Sequence, residues 1–341
     1  MKNFVKQFKE IHLNSVKEVG TKTAYLANIY NHLHAKHIMV PNGFAITMAA
    51  YRHFLAFNDI EDELMQLMTN VDVVNYANLK ATGIKARKLM MEAVFPEYMA
   101  NEITMAYDDL CDGETGRVAV KTSVVAEDLR EPYFADNYND LLNIKGFNGL
   151  LHAVKQCFAT LFEDKAIKHR IENRVNEDKV AISVCVQQMV RSDKNCSGTC
   201  YSPVAKEPGT EIIVITGAWG LTINPDRRTN FKPDVFKVLK DSLHPDKVTV
   251  IHKKLGNKAR MMVFEDEFTE TASTKNINTP FERQTQFVLE DHEIEKLSNW
   301  AVVLETHHQT PVSFKWAKDG VNHQFFLLEA RPETLLQPVS R

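Results

Sequence analysis

A short polar segment near the start of the chain, Gly20-Thr21-Lys22-Thr23, precedes the apolar positions of a predicted helix. Backbone N–H groups at a helix start have no partner within the helix, and the helix dipole makes that end positive. A phosphate is therefore favoured there, and the Lys22 ammonium adds a full charge. The same residues also suit an ordinary capped helix with a surface lysine, so both interpretations stay open.

A second segment with suitable chemistry begins at the end of a predicted strand. Lys121-Thr122-Ser123 supplies a cation and two hydroxyls, and Glu127 and Asp128 follow with two carboxylates. These groups could bind a nucleotide phosphate together with its metal ion. Without other information, a polar strand end followed by an acidic pair that starts a helix is the preferred interpretation of the segment.

A third segment lies near the C-terminal end of the sequence, where Phe326-Leu327-Leu328 leads into Glu329, Ala330 and Arg331. A carboxylate at a strand end can bind Mg²⁺, and an arginine can hold a phosphate through two parallel hydrogen bonds. Glu329 is the predicted metal ligand and Arg331 the predicted phosphate ligand. The alternative is a solvated turn after an edge strand.

The elements that must position these residues alternate irregularly between helices and strands, which predicts an α+β fold. A helix begins at Thr47, a suitable N-cap, and helical periodicity runs through 59–110 with a break near Pro96. The remaining expected helices are 22–36, 147–165 and 291–308, the strands are 117–121, 141–144, 179–190, 211–216, 234–240, 247–253, 259–264, 312–316 and 325–328, and 268–288 is expected to be loop.

Composition places the chain among globular proteins of ordinary charge. Its 341 residues allow two or three domains, and 44% are hydrophobic and 25% charged. The net charge of −3 comes from 44 acidic and 41 basic residues. This near balance argues against binding to nucleic acid through bulk charge.

The sequence gives no sign of a membrane protein or of a secretory signal. No apolar run reaches the roughly 20 residues that a membrane-spanning helix needs, and the first 20 residues are charged throughout. Five cysteines are scattered between Cys111 and Cys200. An odd, dispersed set of thiols predicts a reduced, cytoplasmic protein.

Six ordered motifs give the chain a specific resemblance. They are VGTKTAYL from Val19, VPNGFAIT from Val40 with Ala50-Tyr51-Arg52, VAVKTSVVAEDL from Val118, QQMVRSDK from Gln187, WAKDG from Trp316 and ARPET from Ala330. Together they resemble the N-terminal nucleotide-binding domain of the phosphoenolpyruvate synthase and pyruvate phosphate dikinase family. The resemblance extends from about residue 15 to about residue 336.

The resemblance implies an ATP-grasp-like fold with two lobes, residues 1–190 and 191–341, and a nucleotide cleft between them. It implies ATP and Mg²⁺ as cofactors. In the family this domain transfers a phosphoryl group to a histidine on a separate domain, which then phosphorylates pyruvate in a third domain. No phosphohistidine motif of that kind occurs here, so a separate phosphohistidine protein is the expected partner and this polypeptide alone is not a complete dikinase.

Site residues follow from the same resemblance, position by position. Lys22, Lys121 and Arg331 are expected to act on the phosphates and in catalysis, with Ser123 and Lys315 beside them. The segment Gln188-Met189-Val190 is expected to meet adenine, and Glu329 to hold the metal.

Several of these positions depart from the family pattern. Lys121 replaces an arginine, Asp136 replaces a glycine, and Thr222-Ile223 replaces a Gly-Glu pair. Lys315 stands where the family has a glutamate, and Glu329 where it has a glutamine. If Lys315 faces Glu329, the two are expected to form a salt bridge at the metal position, because a protonated lysine cannot coordinate Mg²⁺.

These departures divide the functional interpretation in two. The first is an ATP-dependent phosphotransferase, or kinase, component of pyruvate metabolism that passes phosphate to a histidine or a substrate on another chain. The second is a catalytically silent relative, a pseudoenzyme, that serves as a binding or regulatory subunit. The matches in sequence support both, and only the departures discriminate between them.

Overall fold

A computed structural model describes residues 3–111, 116–124, 140–202, 211–221, 231–240, 248–265 and 274–332. Contacts between Cα atoms divide these residues into two compact units. The first unit contains residues 3–31 and the described residues of 42–189, and the second contains 32–41 and the described residues from 190 onward. No helix in the described part of the chain is long and apolar enough to cross a membrane.

The first unit combines one sheet with a layer of helices. Its elements are β1 (Val5–Gln7), α1 (Val16–His32), β2 (Gly43–Ile46), α2 (Met48–Phe57), α3 (Glu61–Thr69), α4 (Leu79–Glu92), α5 (Glu97–Cys111), β3 (Arg117–Ser123), β4 (Leu141–Lys145), α6 (Phe147–Ala159), α7 (Asp164–Glu172) and β5 (Ser183–Gln188).

The sheet of the first unit has the order β1-β2-β5-β3-β4, and all its pairings are antiparallel. Because side chains alternate along a strand, each face carries every second residue. Phe44, Val120 and Val186 lie on the face that joins the hydrophobic core with α6. Lys121 and Ser123 belong to the opposite face, which carries small and polar side chains.

Local sequence signals explain where the helices of the first unit begin. The Thr47 hydroxyl caps α2 by accepting a hydrogen bond from the backbone N–H of Ala50 at 3.3 Å, as its position in the sequence predicted. The helix α6 buries Leu150, Val154 and Phe158 at helical spacing against the core.

The second unit is built on a larger sheet. Its elements are β6 (Cys196–Tyr201), β7 (Ile212–Trp219), β8 (Asp234–Lys240), β9 (Val248–Lys254), β10 (Arg260–Phe264), β11 (Thr274–Asn278), α8 (Phe281–Gln284), α9 (Asp291–His308), β12 (Val312–Lys318) and β13 (Phe325–Pro332). Six strands form an antiparallel sheet in the order β13-β12-β6-β7-β8-β9, and β10 pairs with β11.

One face of the six-stranded sheet is apolar and lies against α9. Phe314, Trp316 and Phe236 on that face are at most 2% exposed, and Leu297 and Leu304 of α9 are fully buried. The Glu293 side chain caps the start of α9, because its carboxylate accepts a hydrogen bond from the backbone N–H of Glu290 at 3.0 Å. The other face of the sheet carries the polar residues described below.

The α+β class expected from the sequence is confirmed, and the strand ladders of the described residues are all antiparallel. The expected loop at 268–288 is wrong where β11 and α8 form. The assignment of two lobes, 1–190 and 191–341, with a nucleotide cleft between them stays a prediction.

Candidate functional site

The junction between α1 and β3 positions two of the expected phosphate ligands in the first unit. Gly20 interrupts α1 with φ +75° and ψ 164°, a conformation that only glycine adopts readily. A Cβ atom at Gly20 would lie 2.3 Å from Ser123 Oγ and 2.6 Å from the Ser123 carbonyl carbon. The missing side chain of Gly20 therefore lets the second part of α1 start directly against the end of β3.

Two hydrogen bonds fasten this junction. The backbone N–H of Thr21 donates to the Val124 carbonyl at 3.0 Å, and that of Thr23 donates to Ser123 Oγ at 3.2 Å. The expectation that amides at this helix start are available to an anion is wrong for these two, because the protein already occupies them. Lys22, which lies between them, is half-buried, and its role as a phosphate ligand stays a prediction.

Lys121 lies two residues before Ser123 on the same face of β3. Its Nζ donates to Gln187 Oε1 at 2.9 Å, and Gln187 is only 1% exposed. The fixed amide oxygen orients the Lys121 ammonium from the neighbouring strand β5. Lys121 thus lies two residues from Ser123 along β3, but its ammonium is held beside Gln187, whose partner across the two strands is Ala119.

The segment expected to meet adenine is positioned differently. The Gln188 side chain points to the opposite face from Lys121 and donates to the Leu110 carbonyl at 2.7 Å. Gln188 lies five strand positions from the residue opposite Ser123, about 17 Å at the usual rise per residue. The backbone N–H of Gln188 donates to the Asn42 carbonyl at 2.9 Å.

The rest of that segment is also held by protein. The Met189 N–H donates to the Arg117 carbonyl at 2.9 Å, and the buried Val190 belongs to the second unit. A role for these residues in binding adenine stays a prediction.

In the second unit, the strand pair β12–β13 brings Lys315, Glu329 and Arg331 together. Lys315 pairs directly with Glu329 across the two strands. Lys315 Nζ lies 3.0 Å from Glu329 Oε2, and Arg331 Nε and Nη2 each lie 2.5 Å from Glu329 Oε1. The ion pair expected from Lys315 facing Glu329 is present, and Arg331 joins it through the second carboxylate oxygen.

Two threonines that sequence reasoning missed lie on the same sheet face. Thr199 of β6 is directly opposite Lys315, and Thr216 of β7 is directly opposite Thr199. Their hydroxyl oxygens are 2.7 Å apart. No spacing in the sequence indicates this pair, because the contact depends on the register in which β6 pairs with β7.

The Lys315–Glu329–Arg331 cluster does not suit a magnesium ion. Mg²⁺ is usually bound through one or two carboxylates together with phosphate oxygens and waters. Here both oxygens of the buried Glu329 contact protein cations. Among the described residues, no group of three histidine, cysteine or carboxylate side chains could hold a metal ion. The expected role of Glu329 as a metal ligand thus has little support from its surroundings.

Two of the sequence motifs meet at a turn in the second unit. The Asp319 carboxylate accepts the backbone N–H groups of Arg191 at 3.0 Å, Val321 at 2.7 Å and Asn322 at 3.1 Å. Burial acts to raise the pKa of Asp319, but these three hydrogen bonds and the Arg191 charge outweigh it and lower that pKa. Asp319 therefore stabilises the turn that joins β12 to β13, which is a structural role.

Some expected site residues lie outside the described parts of the chain. They are Glu127 and Asp128 after β3, the substituted positions Asp136, Thr222 and Ile223, and Glu333-Thr334 at the end of the last motif.

In the second unit, Lys315 and Arg331 lie on the same sheet face as the Thr199 and Thr216 hydroxyls, and such groups can bind phosphate. A family model described as the pyruvate phosphate dikinase AMP/ATP-binding domain matches residues 16–340. The chain belongs to this family. The relationship inferred from the six sequence motifs is confirmed.

Three relatives with assigned names agree with this assignment. Phosphoenolpyruvate synthase of Neisseria meningitidis is 33% identical over 336 residues, which cover 98% of this chain and 42% of the relative. Phosphoenolpyruvate synthase of Synechocystis is 36% identical, with 96% and 41% covered. A probable phosphoenolpyruvate synthase of Methanocaldococcus jannaschii is 31% identical, with 98% and 27% covered.

The chain spans less than half the length of these curated relatives. The pyruvate phosphate dikinase AMP/ATP-binding domain is therefore the part of the relatives that the similarity concerns.

Proposed function

We propose that this chain is an ATP-binding phosphotransferase component that passes a phosphoryl group to a histidine or a substrate on another domain or chain. The observation that carries the proposal is the α1–β3 junction within a domain of the AMP/ATP-binding family. The hydrogen bond from Thr23 N–H to Ser123 Oγ fixes the segment of Lys22 beside the end of β3, the strand that also carries Lys121.

Each expected ligand has a chemical role in this proposal. Lys22 and Lys121 would hold the ATP phosphates by charge, and the Ser123 hydroxyl fixes the helix start beside them. Arg331 would contact the transferring phosphoryl group, where positioned positive charge stabilises the transition state. Gln188, Met189 and Val190 would meet adenine through backbone groups other than the Gln188 and Met189 N–H groups, which already donate to protein carbonyls.

Replacing Lys121 by methionine should weaken ATP binding at least tenfold, because a charge-assisted hydrogen bond contributes about 1.5–3 kcal/mol. Titration calorimetry with ATP measures the dissociation constant. Lys88→Met is the matched control, since Lys88 is 71% exposed on α4 and pairs with Glu92 of the same helix. Equal affinities of the Lys121 variant and the unsubstituted chain would remove Lys121 from the site.

A catalytically silent binding subunit is the second candidate, and one observation favours it. Glu329 is held between Lys315 and Arg331, so its carboxylate is already neutralised by protein cations. Such a chain would bind nucleotide and regulate a partner without transferring phosphate.

Complementation in trans separates the two candidates. The chain alone, given ATP and pyruvate, should yield no phosphoenolpyruvate above a no-protein control. Added to the full-length Neisseria meningitidis relative, whose own residue aligned with Lys121 is substituted to disable it, the chain should restore phosphoenolpyruvate formation in a coupled assay. Absence of restoration, with ATP binding intact, would favour the silent subunit.

A further inference from the structure

The Lys315–Glu329–Arg331 cluster carries one net positive charge, from two cations and one carboxylate. We propose that this cluster binds the phosphates of ATP directly, so that ATP binding to this chain does not require a divalent metal ion. The inference rests on the proposed function, because it assumes that ATP is the ligand. It adds that the site binds ATP that carries no divalent metal ion.

The charges in the cluster disfavour a metal ion and favour an anion. A divalent cation at Glu329 would meet the Lys315 ammonium, 3.0 Å from Oε2, and the Arg331 guanidinium, 2.5 Å from Oε1. Like charges at such distances repel strongly, and burial of Glu329, 8% exposed, reduces screening by water. The side chains of Lys315 and Arg331 remain 32% and 23% exposed, so solvent-borne phosphate can reach them.

The cluster is also held in place before any ligand arrives. Lys315 and Glu329 occupy paired positions on β12 and β13, and the register shifts between Lys315 and Trp316. Such a bulge changes the direction of neighbouring side chains and is often found at functional sites. Glu329 thus serves as an anchor that keeps both cations on one sheet face, which lowers the entropic cost of binding.

Hydroxyl groups extend the same polar surface across the sheet. Thr199 lies directly opposite Lys315, and its hydroxyl oxygen is 2.7 Å from that of Thr216. Both threonines are partly exposed. Hydroxyls can donate hydrogen bonds to phosphate oxygens. A divalent ion is often bound by two carboxylates, whereas the cluster and these two threonines supply one, that of Glu329.

Calorimetric titration of the 341-residue chain with ATP, once with excess Mg²⁺ and once with a chelator, tests the inference. The two dissociation constants should differ by less than about tenfold, which corresponds to roughly 1.4 kcal/mol. Lys315→Met should weaken ATP binding in chelator at least tenfold, and Mg²⁺ should not restore it. Lys88→Met, the exposed-helix control, should match the unsubstituted chain.

A second variant reverses the proposed selectivity. Lys315→Glu places two carboxylates face to face on β12 and β13, a pair that can share a divalent ion. ATP binding to this variant should become more than tenfold stronger with Mg²⁺ than with chelator. Circular dichroism checks that Lys315→Glu is folded, and Lys315→Met keeps the test valid if it is not.

The outcomes distinguish this inference from the proposed function. If the unsubstituted chain binds ATP in Mg²⁺ but loses more than tenfold affinity in chelator, the inference is overturned and the proposed function stands. If Lys315→Met binds ATP in chelator as the unsubstituted chain does, the cluster is not the phosphate site. If ATP does not bind under either condition, the proposed function fails as well.

Discussion

Replacing Lys258 by methionine should destabilise the second unit by about 3–5 kcal/mol, the cost of removing one partner from a buried ion pair. Lys258 Nζ lies 2.5 Å from Asp234 Oδ1, and both side chains are 0% exposed. Methionine has a similar length but no charge, so the substitution leaves the Asp234 carboxylate buried without its counter-ion. The free energy of unfolding should fall accordingly.

The position of Asp234 explains why this loss should be large. Besides Lys258, its carboxylate accepts the backbone N–H of Gly256 at 2.7 Å and that of Val288 at 2.9 Å. Asp234 therefore connects the start of β8 to the segment after β9 and to the segment before α9. Displacement of this carboxylate would weaken all three of its hydrogen bonds.

Tryptophan fluorescence during urea unfolding measures the effect selectively. The three tryptophans, Trp219, Trp300 and Trp316, all lie in the second unit. The control is Lys254→Met, an exposed lysine at the end of β9. Adding Asp234→Asn to Lys258→Met should recover part of the stability, since it removes the unpaired charge. A loss below 1 kcal/mol in the single variant would contradict the argument.

Much of the secondary structure could be predicted from the sequence because its signals are local. The helix α9 shows apolar spacing over 291–308, and Thr47 precedes α2 as an N-cap, and both were found as expected. The strand β11 could not be predicted, because its sequence, Thr-Lys-Asn-Ile-Asn, is polar and mostly exposed. Only its pairing with β10 makes it a strand.

Some features of the candidate site could likewise be predicted from the sequence, and others could not. The Lys315–Glu329 ion pair could be predicted from the sequence, because both residues stand at recognisable positions of the family pattern and their charges are opposite. The Thr199–Thr216 pair and the occupied amides of Thr21 and Thr23 were not, since they depend on cross-strand register and on the approach of α1 to β3. The orientation of Gln188 likewise depends on the face that β5 presents.

Replacing Gly20 by alanine should destabilise the first unit by about 3 kcal/mol or more and weaken ATP binding more than tenfold. The backbone conformation alone costs a non-glycine residue about 1–3 kcal/mol. The new Cβ would also lie 2.6 Å from the Ser123 carbonyl carbon and 2.8 Å from its oxygen, backbone atoms that cannot rotate away. Overpacking of this kind typically costs a further 1–3 kcal/mol.

Gly146 provides a matched control for this variant, since it separates backbone strain from the steric contact. It precedes α6 in the same unit with φ 74° and ψ 161°, close to the φ 75° and ψ 164° of Gly20, yet a Cβ there would meet nothing within 4 Å. Gly146→Ala should therefore cost only the strain, about 1–3 kcal/mol, and leave ATP affinity within about twofold. Chemical unfolding followed by far-ultraviolet circular dichroism, together with ATP titration, measures both effects.

If the two variants bind ATP equally well, close contact between Gly20 and Ser123 does not position Lys22 for the nucleotide. A selective loss of ATP affinity in Gly20→Ala would instead assign the α1–β3 junction to the phosphate site, because strain is nearly the same in both variants and only the contact with Ser123 differs.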